Sequence, residues 1–349
     1  MSERFLPSMG PVPILIAVAL LAPVSAAGQV PSTAKPAVPT NAWTLPRTSD
    51  GQPDLQGVWD YRTIAPLERP KELGTKAFFT DEEAVKFEND ENQRQNRDLI
   101  DPEQGGLMYP PGGVIPYNEF WYDRGNKLGS RRTSLIVDPP DGRLPAWTLE
   151  GQRLADLRAA AARDDQLGHP HADSWEDRPL QERCIVGLNA GPPMTPGAYN
   201  NNFQLLQTPG YVVILNEMVH SARIVPMDGR PHGTIRQWRG DSRGHWEGDT
   251  LVVDTTNFKR ETNVPGSSAN THLVERFTRT GANTLLYQFT VDDPTMWTRP
   301  WTAVVPTSKS ADPIYEYACH EGTYAMTGIL AGARAAEKAA EEAAKKGSK

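Results

Sequence analysis

The chain has 349 residues, and its 38% apolar and 23% charged residues are typical of a globular protein. A net charge of −7, with no Lys/Arg cluster in the folded part, argues against nucleic acid as a partner because phosphates require a basic surface. The 31 Pro and 29 Gly residues are more than a helical protein would tolerate, and they favour turns and short strands.

The amino-terminal residues predict an export signal. Arg4 precedes an apolar run at 14–21, and small residues follow, so cleavage is predicted between Ala26 and Gly28. The apolar run is shorter than the roughly 20 residues that a bilayer span requires. Residues 1–27 therefore predict a cleaved signal peptide and a periplasmic or secreted protein with no stable membrane span.

Between the signal and the main run of strands, the chain is rich in Pro and Gly. Residues 28–46 have no periodicity and predict a disordered linker. Residues 47–200 predict an extension whose two helices, at 81–98 and 150–163, pack on the main domain. The first of these helices begins with a Thr-x-x-Glu capping box.

The predicted extension also contains a hairpin signal and an aromatic segment. Residues 134–137 and 143–147 flank the turn sequence Asp-Pro-Pro-Asp-Gly and predict two paired strands. The Pro/Gly-rich segment 101–130 carries several aromatic side chains. Such density in irregular chain predicts an ordered loop packed on a core.

At residue 201 the pattern changes to short strands separated by turn sequences such as Thr-Pro-Gly and Glu-Gly-Asp. Strands without intervening helices predict a mainly β fold over 201–325. It is either an antiparallel meander or a lipocalin-like β-barrel, whose closure removes exposed edges. A helical tail with an apolar stripe is predicted over 326–349. The predicted strands are 203–207, 211–217, 222–227, 234–239, 250–257, 271–278, 284–292, 300–305 and 314–319.

The chain contains two cysteines, Cys184 and Cys319. An isolated pair in an exported protein predicts a disulfide, whereas the same pair in a cytosolic protein predicts buried thiols. The bond would close a loop of about 135 residues and contribute about 3–5 kcal/mol to the free energy of unfolding.

Candidate acid/base residues occur in the predicted strand 271–278. Residues two apart in a strand share a face, so His272 and Arg276 face one way and Glu275 faces the other, with apolar neighbours. An interior Glu275 would be desolvated, which raises the pKa of a carboxyl group and suits it to proton transfer. The alternative is a buried Glu275 that pairs with an Arg for structural reasons.

A second cluster, Glu217, His220 and Arg223, lies where two predicted strands meet at one end of the barrel. Loop ends are where barrels usually contact ligands. A carboxylate, an imidazole and a guanidinium can form an acid/base pair with an anion clamp. They can equally form a surface salt bridge beside a solvated His.

Tryptophans are candidates for holding a ligand. Trp246 lies beside the predicted hairpin turn at 247–249, and Trp297 and Trp301 flank a later strand. Each can line a pocket at the mouth of the barrel.

No cofactor or metal is predicted. The sequence lacks a Gly-rich phosphate loop, a Gly-x-Ser-x-Gly elbow and a Cys-x-x-Cys motif. His169 and His171 have the ligand types for zinc or copper, but their polar loop has no third His at a suitable spacing. Nucleotide cofactors, serine-hydrolase chemistry and metal binding at this pair are therefore disfavoured.

Several motifs between residues 50 and 321 together resemble a large family of exported bacterial β-rich proteins. The motifs are GQPDLQGVW at 51–59, RTSLIVDPPDGR at 132–143, RPLQERC at 178–184, EMVH at 217–220, WEGDTLVVDT at 246–255, His272 with Glu275-Arg276, and EYACHE at 316–321. The resemblance implies that the polar residues of these motifs, both cysteines included, belong to a shared scaffold or site. It implies no particular reaction.

A weaker similarity links Gly57-Val58-Trp59 to the Gly-x-Trp of the first lipocalin strand. That similarity implies a barrel with one closed end and one end open to a small apolar ligand. About 75 residues separate this tripeptide from the next clear strand, which departs from lipocalin topology.

Two functional hypotheses follow. The first is an exported small-molecule enzyme that uses general acid/base chemistry in a barrel pocket, as a lyase, isomerase or hydrolase without a nucleotide cofactor. The alternative is a periplasmic or extracellular lipocalin-like binding protein for a hydrophobic or aromatic ligand. In the first hypothesis, proton transfer is assigned to Glu217, His220, Glu275 and His272, and substrate binding to Arg223, Arg276, Trp246, Trp297 and Trp301.

Overall fold

The computed structural model describes residues 43–106, 117–166, 172–187, 189–260, 264, 266–322 and 324–347. The predicted signal peptide, the linker up to residue 42 and the His169/His171 pair lie outside these residues. The helices are α1 (Asp81–Gln95), α2 (Leu149–Gln166) and α3 (Ala325–Gly347). The strands are β1 (Gly57–Asp60), β2 (Ile136–Asp138), β3 (Asn202–Thr208), β4 (Tyr211–Asn216), β5 (Ser221–Pro226), β6 (Asp241–Glu247), β7 (Thr250–Thr256), β8 (His272–Gly281), β9 (Thr284–Asp292) and β10 (Trp301–Lys309).

The strands form one mostly antiparallel sheet that curves into a nearly closed barrel, as the sequence predicts. The strand order is β5-β4-β3-β1-β10-β9-β8-β7-β6, and β2 pairs with β10 beside this path. β5 and β6 are the two ends of the path and lie next to each other without a hydrogen-bonded ladder. Because every pairing along this path is antiparallel, its two end strands run in the same direction. We call the junction between β5 and β6 the seam.

The seam is tight at one end. Gly244 of β6 lies against the end of β5, where an added Cβ would be 2.9 Å from Cγ1 of Val225 and 2.3 Å from Sδ of Met227. A residue with a side chain would force the strands apart at this point. The seam widens toward the starts of both strands.

β1 joins the amino-terminal extension to the barrel. It lies between β3 and β10, with Trp59 opposite Phe203 on one side and Lys309 on the other. The sheet therefore takes β1 and β2 from the stretch 47–200, which the sequence predicts to be an extension outside the barrel.

Aromatic side chains fill much of the barrel interior. In β8, Leu273, Glu275 and Phe277 point inward, in agreement with the predicted alternation. The ring centroids of Phe277 and Tyr287 are 4.9 Å apart. Each large apolar side chain buried in this way contributes about 1.5–3 kcal/mol relative to exposure. Other buried aromatic residues are Trp59, Tyr61, Phe203, Phe289, Trp297 and Trp301.

Two predicted strands are wrong. Residues 234–239, predicted to be a strand, form a loop whose Gln237 makes one parallel bridge to Phe258. The strand lies just beyond, at β6, whose sequence contains no β-branched residue and owes its conformation to pairing with β7. Residues 314–319 are not a strand either. Cys319, at the end of this segment, is bonded to Cys184.

The predicted hairpin at 134–147 is also wrong. β2 pairs with β10, while residues 143–147 form no strand with β2. The backbone N–H of Leu144 instead donates to the carboxylate of Glu68 at 3.0 Å. A turn sequence fixes a local bend, but the strand partner is chosen by the larger sheet.

The helices agree with their predictions in position. α1 begins with the predicted capping box between Thr80 and Glu83, and it ends at Gln95, three residues early. A separate short turn, Arg97–Leu99, follows it. The predicted stripe of α3, which includes Leu330, is partly buried. Within the described residues no helix has the length and apolar character to cross a membrane.

Candidate functional site

A buried polar cluster lies inside the barrel beside the seam. Glu275 is fully buried and Arg223 of β5 is 8% exposed. Nη2 of Arg223 donates to Oε1 of Glu275 at 3.0 Å, and Nη1 donates to Oε2. The hydroxyl of Tyr287 also donates to Oε1, at 2.7 Å, and accepts from the backbone N–H of Met194 at 2.9 Å. The predicted interior position of Glu275 is confirmed, and its partner is Arg223.

The electrostatics of the cluster keep Arg223 charged. Burial lowers the pKa of Arg223, but the negative charge and hydrogen bonds of Glu275 outweigh burial, so the pKa is raised. Burial and the same negative charge hold the pKa of Tyr287 well above its ordinary value of 10. Tyr287 is therefore a protonated donor, and the cluster contains one balanced ion pair.

A cleft opens along the seam on the far side of Arg223. Its volume is about 540 Å³. We call it the seam cleft. Its lining residues come from β5, from the loop before β6, from the start of β6 and from the chain after β7. They are Ala222, Arg223, Ile224, Arg236, Gln237, Trp238, Arg239, Gly240, Asp241, Ser242 and Lys259.

The loop at 227–240 has a fixed course. Because β5 and β6 run in the same direction, this loop must return along the barrel before β6 begins. The backbone N–H of Gln237 donates to the carbonyl of Asn257 at 2.8 Å, and the N–H of Lys259 donates to the carbonyl of Gln237 at 2.9 Å. Gly240 has φ +69°, and a Cβ there would lie 2.6 Å from the carbonyl oxygen of Thr256. This turn therefore requires glycine and places the adjacent Arg239 in the seam cleft.

The cleft has an excess of positive charge. Asp241 is its one carboxylate among the lining residues, and it pairs with Arg243 outside the lining. Nη1 of Arg236 donates to the carbonyl oxygen of Phe258 at 2.8 Å. In the described part of the chain, no carboxylate forms an ion pair with Arg236, Arg239 or Lys259. All three of these cations line the cleft.

Arg239 is the least satisfied of these cations. Its Nη2 donates to the carbonyl oxygen of Ile185 at 3.3 Å, and its Nε is buried without a hydrogen-bond partner. Burial, followed by the positive charge of Arg223, lowers the pKa of Arg239. A bound anion near the guanidinium would offset both effects by supplying an opposite charge and acceptors for its accessible N–H groups.

Trp238 forms an aromatic wall of the cleft. Nζ of Lys259 lies 4.0 Å from its ring centroid, and Cζ of Arg183 lies 6.0 Å away.

The predicted disulfide is confirmed, with 5.9 Å between the Cα atoms of Cys184 and Cys319. The bond anchors the segment that contains Arg183, which contacts Trp238, and Ile185, whose carbonyl oxygen accepts from Arg239.

Glu217 and His220 have partners that differ from those expected for an acid/base pair. The carboxylate of Glu217 is buried and accepts from Nδ2 of Asn200 at 2.6 Å and Nδ2 of Asn202 at 2.8 Å. Nε2 of His220 accepts from the backbone N–H of Tyr317 at 2.8 Å. These contacts hold the strand end and the carboxy-terminal segment in place.

His272 and Arg276 lie on the outer face of the barrel. Arg276 forms an ion pair with Glu247 there. Nε2 of His272 lies 2.6 Å from Oδ2 of Asp254. The four residues assigned to proton transfer therefore occupy three separate places: the interior, one strand end and the outer face.

The tryptophans predicted to hold a substrate belong to the core. Trp297 and Trp301 are 2% and 1% exposed, and Trp147 stacks on Trp297 with 5.4 Å between ring centroids. Trp246 is half-buried and packs against the same core. The aromatic residue at the cleft is Trp238, which sequence reasoning placed in a strand.

Asp254 joins two histidines on the outer face. Its Oδ1 lies 2.7 Å from Nε2 of His232, and its Oδ2 contacts His272. Burial raises the pKa of Asp254, but hydrogen bonds and charge from His272 and His232 outweigh burial and lower it. Across the described ranges, no group of three or more His, Cys, Asp or Glu side chains is arranged to hold a metal ion.

The hydrogen bond from His272 to Asp254 raises the pKa of His272 above its ordinary value of 6.5. Folding therefore favours the protonated form. The stabilisation is complete below about pH 6.5 and disappears as the pH rises through the higher folded-state pKa. Since the side chain is 43% exposed, the effect on the free energy of unfolding is small. NMR titration should show the raised pKa, and Asp254→Asn should bring it back down.

Glu247→Gln is the control for this titration, because Glu247 is a carboxylate of the same outer face that contacts Arg276 and His245 and lies toward the other end of β8 from His272. It should leave the titration of His272 unchanged. An unshifted His272 in the unmodified protein would contradict the assignment.

Comparisons with known proteins add little to this description. No family model matches the chain. No curated protein matches it either. Among solved structures, a secretary abundant heat soluble (SAHS) protein from Ramazzottius varieornatus is 11% identical over 38% of this chain and 87% of that chain, with a TM-score of 0.23. A likeness at this level carries no argument, so the fold rests on the strand order, and the family resemblance stays a prediction.

Proposed function

We propose that the protein binds a small organic anion, such as a carboxylate, in the seam cleft. The observation that carries the proposal is the state of Arg239, a partly buried cation without a carboxylate partner and with an unsatisfied Nε. Lys259 and Arg236 add positive charge to the same cleft. Charged groups of this kind are stabilised when an anion enters.

The dimensions and the walls of the cleft favour a ligand with an apolar part. A volume of about 540 Å³ lies within the range of roughly 300–1,000 Å³ that is typical of small-molecule sites. Trp238 and Ala222 supply apolar lining, and Ile224 is 63% exposed beside them. An aromatic or aliphatic carboxylate would use both parts of the cleft.

Binding has better support than acid/base catalysis. A general base must come within about 2.6–3.2 Å of the proton that it removes. Both carboxylate oxygens of Glu275 accept hydrogen bonds from Arg223, and Glu275 lies behind Arg223 as seen from the cleft. Glu217 is occupied by two asparagines. The lipocalin-like binding hypothesis is therefore preferred, with an anionic ligand at the seam instead of an apolar ligand at the barrel mouth.

We also propose that this binding takes place outside the cytoplasm. The disulfide between Cys184 and Cys319 supports this location because disulfides are typical of oxidising compartments. The signal peptide predicted over residues 1–27 has the same implication.

The test uses 2-naphthoate and its uncharged analogue 2-naphthamide as probes. Calorimetry should show that the protein binds 2-naphthoate with an affinity that depends on Arg239, and that any binding of 2-naphthamide does not depend on Arg239. Arg239→Gln should weaken 2-naphthoate binding about tenfold to a hundredfold, since a hydrogen bond to a charged group is worth about 1.5–3 kcal/mol. Arg239→Lys should recover part of the affinity.

Arg276→Gln is the matched control, because Arg276 carries the same charge on the outer face of the barrel. It should leave binding unchanged. An equal loss of 2-naphthoate and 2-naphthamide binding in Arg239→Gln, or equal losses of 2-naphthoate binding from Arg239→Gln and Arg276→Gln, would contradict an anion site in the seam cleft.

A further inference from the structure

We infer a second ligand site, at a pocket of about 840 Å³ that shares no residue with the seam cleft. Its three aromatic lining residues are Tyr117, Tyr122 and Tyr199, and we call it the tyrosine pocket. The geometry and charge of its walls fit a flat, uncharged phenolic ligand. This inference does not depend on the anion site.

The floor of the tyrosine pocket is apolar and firmly held. Residues 64–67, which follow β1, form one side, and residues 195–199, which precede β3, form another. The backbone N–H of Asp123 donates to the carbonyl oxygen of Ala198 at 2.8 Å, and the N–H of Ile64 donates to that of Lys127 at 3.0 Å. Backbone hydrogen bonds therefore hold the segments that meet at the pocket in place without a ligand. This order lowers the entropy cost of binding.

The tyrosine rings are held in place by their neighbours. Cζ of Arg124 lies 4.5 Å from the ring centroid of Tyr122, and Cζ of Arg97 lies 5.5 Å from it. Tyr117 meets the same ring edge-on, with 6.3 Å between centroids, and is 51% exposed. Tyr117 therefore offers ring surface to an incoming aromatic ligand, while Tyr122 is fixed behind it.

Tyr199 adds a protonated hydroxyl to the pocket. It stacks on Tyr317 with 6.4 Å between centroids and an interplanar angle of 17°. Burial, together with the neighbouring tyrosines, raises the pKa of Tyr199 to about 12. Like any tyrosine hydroxyl, it is protonated at neutral pH and can donate to, or accept from, a phenolic oxygen.

The charges of the tyrosine pocket are largely balanced, in contrast to those of the seam cleft. Nε of Arg94 donates to Oε2 of Glu91 at 2.7 Å. Nη2 of Arg124 donates to Oε2 of Glu119 at 2.6 Å. Arg94 and Arg124 are thus paired with carboxylates, and Arg97 lies over the ring of Tyr122. The two carboxylates offset part of the positive charge, which favours a neutral polar ligand here over the carboxylate proposed for the seam cleft.

The test uses 2-naphthol, the uncharged phenolic counterpart of 2-naphthoate. Calorimetry should show saturable binding of 2-naphthol that 2-naphthoate does not displace. Tyr117→Ala should weaken it about threefold to tenfold, the range expected for the loss of one aromatic contact. Thr195→Trp, which adds a bulky ring to the pocket lining, should weaken it more.

The two sites are separated by crossed variants. Arg239→Gln should leave 2-naphthol binding unchanged, and Tyr117→Ala should leave 2-naphthoate binding unchanged. Absence of saturable 2-naphthol binding, its displacement by 2-naphthoate, or its insensitivity to both Tyr117→Ala and Thr195→Trp would overturn the second site. Absence of saturable 2-naphthol binding, or its insensitivity to both variants, has no bearing on 2-naphthoate binding in the seam cleft. Displacement would mean that both probes share one site, and the loss of 2-naphthoate affinity in Arg239→Gln or in Tyr117→Ala would show which site it is.

Discussion

Glu275→Gln is expected to lower the free energy of unfolding by about 3–5 kcal/mol, because it leaves the guanidinium of Arg223 buried without a counter-charge. Arg223 is 8% exposed and Glu275 is fully buried, so water cannot replace the lost carboxylate. The hydroxyl of Tyr287 also loses a charged acceptor. Denaturant unfolding followed by tryptophan fluorescence measures the change.

The control for this prediction removes both charges. Arg223→Met combined with Glu275→Leu should recover at least half of the loss, since a buried ion pair is often replaced by apolar groups at little cost. If Glu275→Gln alone stays within about 1 kcal/mol of the unmodified protein, the pair is not desolvated as described.

Loss of the disulfide should have an effect of similar size. The bond joins residues that are 135 positions apart, and chain entropy predicts a loss of about 3–5 kcal/mol when Cys184→Ser and Cys319→Ser are combined. The same variant should weaken 2-naphthoate binding, because the bond anchors the segment whose Ile185 carbonyl accepts from Arg239. Denaturant unfolding and calorimetry measure the two effects.

Reduction of the unmodified protein with dithiothreitol should reproduce both changes, and reoxidation with oxidised glutathione should reverse them. A double Ser variant that is as stable as the unmodified protein would show that the unfolded chain gains little freedom when the bond is absent.

Local periodicity predicted the barrel and the interior position of Glu275, because alternation along a strand is a property of consecutive residues. It did not predict that Arg223 is the partner of Glu275. The two residues are 52 positions apart and meet only when the sheet curves round. The sequence therefore placed them in two different candidate clusters.

The seam cleft was missed for a related reason. Arg236, Trp238 and Arg239 lie in a stretch that was predicted to be a strand, while β6, just beyond, has a sequence without β-branched residues. Which of two neighbouring segments joins the sheet depends on the partner strand β7, and a single segment does not contain that information. The Gly240-Asp241 step after Arg239 is a turn signal that marks the true boundary.

The disulfide was predicted because the chain offers one pair of cysteines and thus a single intramolecular pairing. The place of β1 between β3 and β10 was not predicted, since its partners lie more than a hundred residues away. The core tryptophans were misplaced because composition does not distinguish a buried ring from one that lines a pocket. Trp297 and Trp301 are in fact part of the packing.

The seam gives a bound anion a mechanical role. β5 and β6 are the first and last strands of the sheet path and share no ladder, so no backbone hydrogen bonds between strands close the barrel at that point. A ligand that contacts Arg223 or Ile224 of β5 and Ser242 of β6 would connect the two end strands of the sheet. A ligand at a hundredfold excess over its Kd stabilises the folded state by about 2.7 kcal/mol. The free energy of unfolding would then rise with the concentration of the anion in the surrounding solution.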